Sequence, residues 1–259
     1  MPADGPRVTH VGGPTALVEF DGLRVLTDPT FDAPGRRYAF GWGTGSRKTA
    51  GPAVAPADLP ALDAVLLSHD HHADNLDDAG RALLPSAGVV LTTVPGARRL
   101  GGNAVGLAPG ATAALPNGWE VTATPARHGP PLSRPVVGEV VGFALRRAGA
   151  DRVALWISGD TVPHRALSRF AARARVDVAL LHLGAVRFGL TGPVRYTMTG
   201  REAVELCGLL RPRVVVPVHH EGWSHFRERR EAVERAFERA PAAVGSALRW
   251  LPPGRPVEL

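Results

Sequence analysis

Two hydrophobic patterns alternate along the chain. Residues 15–20 (TALVEF) and 23–27 (LRVLT) are rich in branched and aromatic side chains and flank Asp21-Gly22, a dipeptide that favours a tight hairpin turn. Further on, short unbroken apolar runs take over: AVLL at 64–67, VALL at 178–181 and VVV at 214–216. Runs of that length read as strands buried on both faces. Strands are also expected at 89–93, 120–124, 137–145 and 152–157. Helices are expected at 77–84, where Asp77 and Asp78 suit the positive end, and at 162–175. Thr199 and Glu202 have capping-box spacing before a helix whose apolar face is Ala203, Val204, Leu206, Cys207 and Leu210, with Gly208 and Pro212 helping to end it. Phe226, Val233 and Phe237 predict an amphipathic helix within 224–240. The Gly/Pro/Arg-rich stretch from Asp28-Pro29 to Pro60 reads as one long loop, of the kind that borders a site. Strands followed by helices in each half predict a layered α/β sandwich with sheet at its centre.

Composition narrows the picture. The 259 residues are 44% hydrophobic and 21% charged, which fits one folded domain over 1–259. No apolar run approaches the roughly 20 residues that cross a bilayer. The first ten residues lack the apolar core of a secretory signal, so a cytoplasmic protein is expected. One cysteine, Cys207, excludes a disulfide framework. The net charge of +6 comes almost wholly from arginine, because Lys48 is the only lysine. The arginines are scattered, which argues against nucleic acid as a partner.

Histidine placement carries the chemistry. His69, His71 and His72 follow the run at 64–67, together with Asp70 and Asp74. His128 follows the strand near Thr124, Asp160 follows LWISG, and His219 and His220 follow the run at 214–216. Strand ends hold side chains at one rim of a sheet, so imidazoles and carboxylates from distant segments can converge there. That mixture suits a divalent metal, zinc first, with manganese or iron as alternatives. His10, His164 and His225 stand alone and read as ordinary surface or core histidines, as does His182.

The stretches VTHVGGPTALVEFDGLRVLTDPTF, LLSHDHHADNLD, TPARHG, VGFAL, LWISGDT and PVHHEGWSHF occur in an order that resembles the metallo-β-lactamase superfamily. The nearer likeness is to its metal-dependent hydrolases, including ascorbate-6-phosphate lactonase and phospholipase-D-like enzymes. The resemblance implies a four-layer αββα sandwich of two similar halves, divided near 130–150, with one or two metals at the sheet edges. Asp28 matches a supporting aspartate, His128 a ligand of the first metal, Asp160 the bridging carboxylate and His219 a ligand of the second. The family pattern His-x-His-x-Asp-His is altered here to His69-Asp70-His71-His72-Ala73-Asp74-Asn75. Either His69 and His71 form the first pair, or a residue is inserted and His69 and His72 do. The insertion is preferred because it keeps Asp74 as a ligand, and it puts Asn75 in place of the motif's last histidine. Either way the second metal loses an imidazole.

The expected activity is hydrolysis, with a metal-bound hydroxide attacking an ester, lactone, amide or phosphodiester. Asp74 is the candidate to orient it, and His220 or His182 to protonate the leaving group. Arg187 and Arg195 are candidates to hold an anionic group of a small-molecule substrate, and Trp42 and Trp223 to line its pocket. The alternatives are an iron redox enzyme on the same scaffold and a metal-binding module with weak catalysis. Oligomeric state is left open.

Overall fold

The computed structural model describes residues 5–41, 43–131, 133 and 137–259. A first sheet contains β1 (Arg7–Gly12), β2 (Thr15–Phe20), β3 (Leu23–Thr27), β6 (Ala64–Leu66), β7 (Val89–Thr92), β8 (Ala104–Gly106) and β15 (Pro256–Glu258), in the order β15-β1-β2-β3-β6-β7-β8. A second contains β9 (Thr112–Leu115), β10 (Trp119–Pro125), β11 (Val141–Arg147), β12 (Arg152–Ile157), β13 (Arg175–His182) and β14 (Val214–Val218), in the order β14-β13-β12-β11-β10-β9. The chain crosses between sheets after Gly106, upstream of the 130–150 boundary expected from sequence, and its last strand returns to the first sheet.

The sheets face each other across a shared core. Ala16, Val18 and Phe20 of β2 point into it, as do Ala64 and Leu66 of β6, and Val178 and Leu180 of β13. The alternate residues Leu17, Val65 and Leu67 turn to the opposite face of the first sheet, where α1 (Asp78–Leu83) and α2 (Val94–Leu100) pack. On the second sheet, Ala179 and Leu181 turn outward against α3 (Arg165–Arg173), α4 (Gly200–Leu210) and α5 (Arg230–Glu238). A short α6 (Ala242–Gly245) follows. Both faces of these strands are buried, which is why their sequences lack alternation. The arrangement is the expected αββα layering.

Local signals hold with adjustments. Asp77 caps α1 through Gly80 N–H, and Thr199 and Glu202 form the reciprocal capping box of α4. Gly208 lies inside α4, which ends instead at Arg211 in a left-handed conformation. Phe226 precedes α5 rather than sharing its face. The residues ahead of Val141 are not part of β11. The presumed long loop contains a hairpin, β4 (Arg37–Gly41) and β5 (Thr44–Arg47). Its half-exposed, glycine-containing strands carry no buried apolar stripe, so no periodicity marked them.

Strand direction places the site. β12, β13 and β14 run parallel, and β10 shares their direction through antiparallel β11. In the first sheet β3, β6 and β7 also run parallel. The segments leaving these strands at their carboxyl ends carry Asp28, His69, His128, Asp160 and His219, whereas His182 is the last residue of β13. In open α/β sheets that rim is where ligands bind.

Candidate metal centre

Asp28 ties the two sheets together beneath the site. Its Oδ1 accepts from Ser68 N–H at 2.6 Å, fixing the turn after β6, and its Oδ2 meets His182 Nε2 at 2.9 Å. His182 is thus committed to Asp28 and is fully buried. Asp28 and His219 both adopt positive φ, 30° and 56°, uncommon for non-glycine residues and tolerated where surrounding structure over-determines them. His219 is held by its N–H donating to Gly13 C=O at 2.8 Å. Gly159 has φ of 59°, and a Cβ there would lie 2.5 Å from Val141 O, so the turn that aims Asp160 requires glycine.

Two side-chain groups result. His69, His72 and His128 bring one ring nitrogen each to within 4.8 Å of the others, and Asp74, Asp160 and His219 bring one ligand atom each to the same separation. All six are buried. Asp160 sits between the groups, with Oδ1 3.4 Å from His219 Nδ1 and Oδ2 3.9 Å from His128 Nδ1. Asp74 Oδ2 lies 3.3 Å from His219 Nε2. His128 Nδ1 donates to Tyr196 C=O at 2.9 Å, which leaves its Nε2 bare.

Electrostatics fit a cation. Burial pushes His72 down to about 4 and His128 down to about 3, and drives His69 well below the ordinary range, with neighbouring imidazoles adding to the shift. They are therefore neutral, the state in which imidazole binds metal. Burial alone would raise Asp74, but the His219 and His225 imidazoles beside it hold it well below the usual carboxylate range. Asp160 is pushed well above that range by burial, then by the charges of Asp74 and Asp28. A divalent ion would reverse that penalty. Both oxygens of Asp160, Oδ1 of Asp74 and both nitrogens of His219 are buried without a hydrogen-bond partner. Buried polar atoms in folded proteins are rarely left unpaired, and this concentration of unpaired oxygens and ring nitrogens suits a central cation.

Other expected residues lie elsewhere. His71 is outside both groups, its Nε2 3.0 Å from Arg99, which forms a bidentate pair with Asp70. The insertion register, with His69 and His72, is the one the fold brings together. His220 is buried against Trp250, beside His10, and does not line the cleft. Arg195 pairs with Glu202, and Arg187 is exposed. His10 bonds Gly13 C=O and His164 bonds Val162 C=O. Trp223 packs with Tyr38 and Phe40 in an aromatic cluster, while Trp42 lies outside the described residues. His225, read from sequence as ordinary, stands 3.0 Å from Asp74 Oδ2. Its proximity to PVHH was the one available signal.

The β4–β5 hairpin roofs the site. Phe40 lies 5.2 Å from the His72 ring, and Lys48, just beyond β5, makes a buried 2.6 Å ion pair with Asp77. Beneath the roof a cleft of about 440 Å³, counted to its open mouth, reaches His72, Asp74 and His128. Its other walls are Phe40, Gly41, Thr44, Val137, Val186, Phe188, Thr191 and Tyr196.

The sequence profile of the beta-lactamase superfamily domain matches residues 23–220. The chain belongs to the metallo-β-lactamase superfamily. Within it, the chain is 28% identical over 261 residues to the UPF0173 metal-dependent hydrolase of Opitutus terrae, covering 98% of this chain and 100% of that one. It is 27% identical over 216 residues to a protein of the same name from Caldivirga maquilingensis, covering 82% and 80% of the two chains. Among solved structures, an isothiocyanate hydrolase from Delia radicum gut bacteria superposes with a TM-score of 0.80 at 20% identity, covering 98% and 99% of the two chains. CmlA, a diiron β-hydroxylase from Streptomyces venezuelae, gives 0.67 at 17% identity, covering 99% of this chain and 54% of that one. These superpositions establish the shared metallo-β-lactamase fold. The family and its metal-dependent hydrolases make this chain an enzyme of the metallo-β-lactamase-fold hydrolase type, with His/Asp groups fit for divalent metal.

Proposed function

We propose that this enzyme hydrolyses a small, uncharged, largely apolar electrophile at a carbon centre, with His69, His72 and His128 holding one divalent ion and Asp74, Asp160 and His219 a second. The observation that carries the substrate class is the cleft wall. Among the described residues lining it, every side chain outside the two metal groups is uncharged, and most are apolar. Beyond the metal ions themselves, a phosphodiester or carboxylate would meet no cationic side chain among the described lining residues to repay its lost hydration. Arg195 is engaged by Glu202, so an anionic substrate is disfavoured.

Bound metal would supply Lewis acidity and bring the pKa of water toward neutrality. The protein's own side chains do the rest. Asp74 faces the cleft with its Oδ1 unpaired, and would accept a hydrogen bond from the attacking water and orient it. Phe40, Phe188 and Tyr196 would seat the apolar part of the substrate and exclude bulk water, which strengthens every charge interaction inside. His220 and His182 stand away from the cleft lining, and neither is assigned a proton-transfer role.

The test is a substrate panel with zinc- or manganese-loaded protein: aryl and alkyl isothiocyanates, neutral aryl esters, small lactones and bis(p-nitrophenyl) phosphate. An isothiocyanate is the substrate in the name of the gut-bacterial enzyme, and it has the neutrality that the described cleft walls favour. At least one neutral carbon electrophile should exceed the phosphodiester in kcat/KM by about tenfold or more, equivalent to ~1.4 kcal/mol of transition-state preference. Asp74→Asn should lower kcat by on the order of 100-fold, the scale of losing a general base. A preference for the phosphodiester overturns the substrate class.

A further inference from the structure

We propose that His225 is a ligand of the second metal position, supplying the imidazole that Asn75 does not. The inference rests on the two-group reading above and extends it by one residue. Where relatives would place the motif's last histidine, Asn75 turns its Nδ2 to Ser68 Oγ at 3.3 Å, and its Oδ1 is buried without a partner. An amide oxygen is a weak zinc donor. Asp74, Asp160 and His219 supply the three protein donors usual at a catalytic zinc, but only one of them is an imidazole.

His225 arrives from the opposite side, on the segment that leaves β14 and passes Trp223. Its Nε2 is 3.0 Å from Asp74 Oδ2, the same oxygen that lies 3.3 Å from His219 Nε2. Two imidazole nitrogens therefore converge on one carboxylate oxygen of the second group. The His225 Nε2 is buried and has no hydrogen-bond partner, although it stands 3.0 Å from Asp74 Oδ2.

The rest of the ring is fixed as metal-binding imidazoles are. Nδ1 lies 2.5 Å from Ser46 Oγ, and Ser46 Oγ lies 3.2 Å from Ser224 Oγ. With Nδ1–H donating to Ser46, the lone pair is on Nε2. Phe188 stacks on the ring at 5.5 Å and 24°, and Phe40 meets it edge-on at 5.5 Å. His225 is 4% exposed and does not line the substrate cleft, so it is presented to the metal group and not to substrate. The hairpin that roofs the site thus also supplies, through Ser46, the group that orients this imidazole.

The experiment is metal stoichiometry and affinity, independent of turnover. Stripped full-length protein is titrated with Co(II), followed by its visible absorption, and checked by elemental analysis after gel filtration. The wild type should take up two equivalents. His225→Ala should keep one and bind the second at least about tenfold more weakly, and Asn75→His on that background should restore it. Ser46→Ala, which leaves the imidazole in place, should weaken the second equivalent by roughly 10–100-fold, the cost typical of losing a group that orients a metal-bound histidine. It serves as the test should His225→Ala misfold by circular dichroism. Two equivalents of unchanged affinity in a folded His225→Ala, or in Ser46→Ala if the former misfolds, overturn this assignment alone. A wild type that binds one equivalent also overturns it, while leaving the first group intact. A wild type that binds none overturns the metal reading as well.

Discussion

At the scale of single residues, the site is built from groups that burial would normally penalise. Below its unfolded pKa of about 6.5, each buried histidine takes up a proton on unfolding that the folded state excludes down to about 4 for His72 and about 3 for His128. Their folded pKa values are depressed, so metal-free stability is fully present above pH ~6.5 and declines as pH falls toward 4. The cost is on the order of 1 kcal/mol per histidine per pH unit. Asp160 is raised and acts in the opposite sense, but His69, His72, His128, His219 and His220 are all lowered and outnumber it. Urea midpoints of chelator-treated protein should therefore fall steadily from pH 7 to pH 4.5. A flat profile would mean these imidazoles are already hydrated or charged in the fold.

At the scale of elements, the β4–β5 hairpin is the part on which the site depends without contributing to either sheet. Its anchor is the Lys48–Asp77 pair, with both side chains at 3% exposure or less. Asp77 also accepts from Phe31 and Asp32 N–H and caps α1, so the pair links hairpin, loop and helix. Lys48→Met would leave that carboxylate buried without its cation, a change that costs about 3–5 kcal/mol when such a pair is broken. Chemical denaturation should show that loss, and KM should rise because Phe40 is released from the cleft. An unchanged midpoint would show that the pair is not what fastens the hairpin. The hairpin also marks where sequence reading stops. β6, β13 and β14 were legible because burial on two faces leaves unbroken apolar runs, β2 and β3 because they flank the Asp21-Gly22 turn, and α4 because Thr199 and Glu202 announce its start. β4 and β5 bury few side chains and carry glycines, so nothing local distinguishes them from a loop. The same limit hid His225. His69, His72 and His128 each sit beyond a recognisable strand, but His225 is placed by the Trp223 turn and by Ser46, which is 179 residues away in sequence. The separation of His71 from His69 and His72 likewise goes with a long-range partner, Arg99, which lies 3.0 Å from His71 Nε2.

At the scale of the whole molecule, the metal groups draw on segments following β6, β10, β12 and β14, hence on both sheets. A bound cation would cross-link the two layers where their shared core ends. A ligand present at about a thousandfold above its Kd stabilises the folded state by about 4 kcal/mol. In a chain of this size, chelation should lower Tm by on the order of 10 °C, with recovery on adding zinc or manganese. Scanning calorimetry with and without chelator is the check, and coincident transitions would deny the groups any structural ion. No described helix is long and apolar enough to cross a membrane.

Burial of Lys48 has one more outcome. The only lysine is 3% exposed and the only cysteine, Cys207, is 1% exposed in α4, its thiol pushed up to about 12 by burial. Apart from the chain terminus, the outer surface therefore offers electrophiles neither a free amine nor a thiol. A catalyst of reactive carbon compounds with such a surface would resist being derivatised by its own substrate, leaving the intact mass unchanged through many turnovers.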